Sequence, residues 1–254
     1  MAIRETKRIL LSPLTWCCCL IFAIITLLGV AEDLSIRDGG NGWFELLWLS
    51  ENFGIGCLIT PLVFPLAFAV NAYEEKRNGY DWLLLLRSGY LRYCISKTVS
   101  CLAGTVAAYT ISMLMAVAIG CAVNPNILNN CTPEVLESFF PGGLWVNLAN
   151  RTNYWISLLV YLTGNSLNIA LFSMIAICTS VYATNLYIVC AVPFLLSRLG
   201  SYFGGIWDKM NYTLFAKPTA ADSGLLQCLI MNALALLFLG CLYFCELKGK
   251  AYHA

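Results

Sequence analysis

Charge is scarce in this sequence. Only 11% of its 254 residues are Asp, Glu, Lys or Arg, while 59% are hydrophobic. Soluble domains carry about 25% charged residues, and so few charges cannot cover an apolar chain of this length in water. A soluble globule is therefore excluded. The net charge of +1 lacks the basic excess of a nucleic-acid binder, and no nucleic-acid partner is expected. Histidine is nearly absent too: His253 is the single one. The long apolar runs hold no ionisable group, so no general base, metal centre or carboxylate proton relay is expected. No G-x-x-x-x-G-K-[ST] loop occurs. Gly249-Lys250 lacks both the preceding glycine and the following hydroxyl, so the chain is not expected to hydrolyse nucleotide by that chemistry. A membrane hydrolase is disfavoured on the same grounds.

Cysteine is plentiful, at 13 residues, but an outer disulfide framework is missing. Most cysteines fall in or at the ends of apolar runs and only Cys131 lies well inside an outer loop, so an even set of loop cysteines is lacking. They read as small apolar helix residues. Cys17, Cys18 and Cys19 are open to a second reading as acylation sites. No CxxC pair stands beside histidines, so a zinc site has no support.

Five stretches carry no Asp, Glu, Lys or Arg: 9–31, 52–73, 98–133, 152–197 and 223–245, of 23, 22, 36, 46 and 23 residues. In lipid every backbone polar group must be paired internally, which leaves helices or closed barrels. Unbroken runs rather than alternating strands argue for helices. At about 1.5 Å per residue, 23 residues cover roughly 35 Å, enough to cross a bilayer. The expected fold class is all-α: a single polytopic membrane helix bundle over 1–254. Its six spans are expected near 13–31, 53–72, 98–123, 154–179, 183–197 and 224–245. The longest run divides near 180–185. Pro193 interrupts the short fifth span, which either crosses or re-enters. A signal peptide ending at Gly29-Val30-Ala31 competes for the N-terminus, but the apolar run exceeds the usual 7–15 or so residues. A retained first span is expected.

The N-terminal tail, the link between spans two and three and the C-terminal tail share one side, with 10 of the 15 basic residues. The opposite side holds nine of the 14 acids. Lys and Arg favour the cytoplasmic side, so both termini are expected in the cytoplasm of a multi-pass plasma-membrane protein. Within the spans, Asn165 and Asn168 share a helical face near Tyr161. They either bond between helices, at about 0.6 kcal/mol each, or line a translocation path.

The most informative stretch is 71–97. Tyr73-Glu74-Glu75 is followed by Lys76-Arg77-Asn78-Gly79-Tyr80, then Asp81, Trp82, a leucine run over 83–86, Arg87-Ser88-Gly89-Tyr90 and finally Lys97. The apolar helix expected near 80–86 is too short to span and too apolar for water. It lies at the membrane interface or docks in another protein's groove. This stretch resembles the permeases of type-2 ATP-binding-cassette (ABC) exporters. The six-span layout, the basic amphipathic segment 2–11 and the outer segment 198–222 share the likeness more loosely. In 198–222, Tyr202 to Trp207 and Tyr212 would suit short re-entrant helices.

The resemblance implies a cytoplasmic coupling helix pressed onto a separate ATPase subunit. Its ATPase-coupling residues would be Glu74 or Glu75, Gly79, Tyr80, Trp82, Leu83, Leu86 and Arg87. ATP and Mg would bind to that partner and no cofactor to this chain. It also implies a homodimer or a heterodimer with a similar permease, a bacterial source, and ATP-driven export. Neutral spans suit an amphiphilic or peptide-like cargo. The charged residues 74–77 read equally as a solvated cluster at a helix end. One departure is the sparse charge at 180–185, which leaves little for a second ATPase contact. The alternative function is a non-transporting assembly or sensor module that recruits a cytoplasmic partner.

On the outer side, Trp43, Phe44, Leu47 and Trp48 read as an amphipathic helix, and Thr132-Pro133-Glu134 as a helix start. Both are more often structural lids than sensors. Asn130, Asn150 and Asn211 head glycosylation sequons that would matter only in a eukaryote.

Overall fold

The computed structural model describes residues 2–28, 55–123, 154–203 and 221–252. The described residues form eight α-helices and no strands: α1 (Ala2–Leu10), α2 (Pro13–Leu28), α3 (Ile55–Arg77), α4 (Tyr80–Ser88), α5 (Tyr90–Val123), α6 (Tyr154–Tyr182), α7 (Leu186–Phe203) and α8 (Ala221–Tyr252). The all-α class expected from the uncharged runs is what folds.

Length and composition suit Tyr90–Val123, Leu162–Tyr182 and Leu229–Gly249 to crossing a membrane. The α1–α2 pair, bent by 58°, makes a fourth if it is one span. Helices α3 and α7 cover the expected second and fifth spans, but among the described residues neither meets the same measure, so three helices, or four counting the bent pair, are candidates for crossing by length and composition. The bend has a local cause. Leu11 and Ser12 still donate to the carbonyls of Lys7 and Ile9, at 3.0 Å each. Pro13 then opens α2, where its missing N–H is no loss.

Helix α6 is central, packing on α3, α5, α7 and α8. Of its apolar stretch 78% is buried, against 17% for α8. Helix α8 therefore lies on the periphery, with Leu234, Leu237 and Phe238 outward, an arrangement that a bilayer solvates. A triangle of rings ties α2, α3 and α5 together. Phe22, Phe64 and Tyr109 are all buried, with centroids 4.8, 5.7 and 6.2 Å apart. Edge-on pairs of this kind add about 0.5–1.5 kcal/mol beyond area burial. At Gly104 a Cβ would stand 2.8 Å from the Phe68 ring, so glycine is what lets α5 approach α3.

Several boundaries differ from expectation because charge does not end a helix. Helix α5 starts at Tyr90 and takes in Arg92 and Lys97, and α8 continues through Glu246 and Lys248. Arg92, Lys97, Glu246 and Lys248 thus lie on these helices beyond the uncharged stretches 98–123 and 224–245 expected to span. Helix α7 runs through Pro193 to Phe203, past the expected end at 197. Arg198 lies one turn beyond Phe194, its guanidinium 5.7 Å from the ring centre. The expected break at 180–185 is real: α6 ends at Tyr182, and Asn185 accepts the Tyr187 N–H at 2.9 Å, capping α7. The outer amphipathic segment around Trp43 to Trp48, the helix start at Thr132, Cys131, the three sequons, and 204–220 with Trp207 and Tyr212 lie outside the described residues.

Candidate functional site

The site is built from the α3–α4–α5 turn at the basic end of the bundle. Two glycines isolate α4. Gly79 has φ 70° and ψ 9°, and Gly89 has φ 78° and ψ 152°. They are the positive-φ residues among those described, and a side chain there would be strained. The Gly89 N–H donates to the Leu85 carbonyl at 2.8 Å, closing the helix. Between the glycines, nine residues are too few to hold a helix by backbone bonds alone, so packing must fix it. Leu85 supplies that packing, buried in the main core with Leu84 partly buried beside it. The opposite face is open: Tyr80, Trp82, Leu83 and Leu86 are 58%, 40%, 62% and 79% exposed. Arg87 is exposed and Asp81 half-buried. An apolar face this open on so short a helix calls for a partner or a lipid interface.

The two glutamates before α4 have different fates. Glu74 is exposed. Glu75 is buried and joins an ionic cluster: it pairs with Arg8 of α1 and lies 2.5 Å from Lys97 Nζ of α5. Lys97 also sits 3.4 Å from Glu5, and Ser100 Oγ donates to Glu5 at 3.5 Å. Glu5, Glu75 and Lys97 are each less than a tenth exposed. Two carboxylates and two cations neutralise one another, the condition under which buried charge is tolerated. The pair Glu75–Lys97 thereby fastens the two ends of the α4 hairpin, and Arg8 and Glu5 fasten α1 to the same point.

Lys76, next in sequence, turns elsewhere. Its Nζ donates to the carbonyls of Ser180, Val181 and Ala183 at 2.9, 2.9 and 3.0 Å. These are the orphan acceptors at the end of α6, where the helix dipole also favours a cation. Tyr73 Oη donates to the Thr184 carbonyl at 2.7 Å. The turn at 180–185 is poor in charge because its carbonyls are served by side chains of α3.

Of the candidate path residues, Asn165 is buried and Asn168 half-buried within α6, while the side chain of Tyr161 lies outside the described set. Two open grooves lie elsewhere, and neither asparagine lines them. Between α5 and α8 a groove of about 750 Å³ has no charged residue in its wall. Between α6, α7 and α8 a second, of about 470 Å³, contains Glu246.

Among the described residues no group of His, Cys, Asp and Glu could hold a metal, and the ten cysteines whose side chains are described are free thiols. Cys17 is exposed and Cys18 and Cys19 are buried. Sequence reasoning missed the roles of Glu5, Arg8, Lys76 and Glu246. The one local signal was the three-residue spacing of Glu5 and Arg8, which puts them on one face of α1. No protein-family model, curated protein or solved structure matches this chain.

Proposed function

We propose that the chain is the membrane permease subunit of a type-2 ABC exporter, in which α4 is the coupling helix of a separate cytoplasmic ATPase. One observation carries the reading. A nine-residue helix between two positive-φ glycines is fixed to the bundle by Leu85 and offers Trp82, Leu83 and Leu86 outward. Its ends are held together by Glu75 and Lys97. A helix so mounted moves with α3 and α5 as one body, as a lever between a nucleotide-driven partner and the spans must. In this reading α1–α2, α3, α5, α6, α7 and α8 make six crossings, with both termini and α4 in the cytoplasm. ATP and Mg sit on the partner, and a second permease copy or a similar chain completes the transporter. Cargo leaves the cell at the expense of ATP. The roles divide within the expected coupling residues: Tyr80, Trp82, Leu83, Leu86 and Arg87 meet the partner, Gly79 allows the turn, and Glu75 braces the base.

The test uses Leu83→Asp and Leu86→Asp, two exposed positions whose replacement leaves the Leu85 packing alone. Each is expected to insert normally and to lose most co-purification with the ATPase, since a charge in an apolar docking pocket costs about 2 kcal/mol or more. Undiminished co-purification from the double variant would contradict the reading.

A further inference from the structure

We infer that the groove between α6, α7 and α8 is a binding site for an amphiphilic cation, with Glu246 as the counter-charge. The groove holds about 470 Å³, and its wall is apolar along Ile175, Ile188, Val192 and Leu196. Glu246 is the charged residue in the wall. Its Oε2 is buried and has no hydrogen-bond partner among the described residues. A buried carboxylate oxygen without a donor is costly, and the groove has little to offer it. Thr179 Oγ1 donates instead to the Ile175 carbonyl at 2.8 Å, and Cys178 Sγ to the Leu239 carbonyl at 3.6 Å. Tyr182 is exposed at the groove's edge. Lys76, at that end of α6, donates to three backbone carbonyls, one of them that of Ala183 in the wall.

Among the described residues no side chain of the groove supplies a donor to Oε2, and an occupant can. An alkyl body covers the apolar wall and an ammonium answers the carboxylate. A neutral occupant can at most donate an uncharged hydrogen bond and leaves the negative charge unanswered, and an anion would be repelled. The wholly uncharged groove between α5 and α8 lacks this selectivity. The inference deepens the transport reading by naming a cargo class, and rests on it only in that respect. Binding itself needs neither ATP nor a partner.

The experiment measures saturable binding of radiolabelled dodecylamine, and of neutral dodecanol, to the purified full chain in phosphatidylcholine nanodiscs, with empty discs subtracted. Glu246→Gln is expected to weaken dodecylamine roughly tenfold or more, the worth of a charge-assisted hydrogen bond, and to leave dodecanol unchanged. Ile188→Trp, which fills the groove, is expected to reduce both probes. An unchanged amine affinity in Glu246→Gln, an equal loss of both probes in that same variant, or unaltered binding in Ile188→Trp would overturn the site. So would carbodiimide capture of Glu246 by a lysine of a second copy. No saturable amine binding by the unaltered chain, with ATPase co-purification intact, sinks the site alone; amine binding without co-purification sinks the transport reading and spares the site.

Discussion

Lys97 shows how burial decides a side chain's worth. It lies within 3.4 Å of Glu5 and 2.5 Å of Glu75 and is almost fully enclosed. Removing it leaves the buried Glu5 without a cation and Glu75 with Arg8 alone. Lys97→Met is expected to destabilise the detergent-solubilised protein by about 3–5 kcal/mol, seen as a lowered midpoint of thermal unfolding. Removing Glu75 as well (Glu75→Gln with Lys97→Met) should recover part of the loss, because fewer charges are then left unpaired. An unshifted midpoint in the single variant would show that the cluster is open to water. Arg8, half exposed on its outer side, is worth less, because solvent screens its pair.

At the scale of elements, glycine, proline and apolar spacing were readable and charge was misleading. The bounds of α4, the start of α2 at Pro13 and the break near 180–185 follow from local chemistry that acts over a few residues. The start of α5 and the end of α8 do not, because Lys97 is neutralised by residues 22 and 92 positions away. Partners so distant leave no trace in a window of sequence. The expected spans 98–123 and 224–245 carry no charge, and Lys97 and Glu246 stand just beyond them on the same helices. Tertiary contact also explains the charge-poor turn after α6, where Lys76 of α3 bonds the carbonyls of Ser180, Val181 and Ala183. Lys76→Met is expected to fray that helix end, raising amide hydrogen exchange over 180–185 while exchange in α5 stays unchanged. Equal protection in the two proteins would mean that water serves those carbonyls just as well.

For the molecule as a whole, the basic end gathers its polar bonds at one place. Over four residues at the end of α3, Tyr73 and Lys76 hold the α6–α7 turn, while Glu75 holds α1 and α5. Displacing α4 would therefore move the neighbouring helices together, whereas the far face of α8 presents the apolar Leu234, Leu237 and Phe238. The most direct measurement is a photoreactive amino acid at position 86, at the exposed crown of α4, cross-linked in intact cells. Adducts on a protein that carries a G-x-x-x-x-G-K-[ST] phosphate loop, lost in a Trp82→Asp background, are expected. Adducts confined to lipid, or to proteins without that loop, would contradict the docking of α4 on an ATPase.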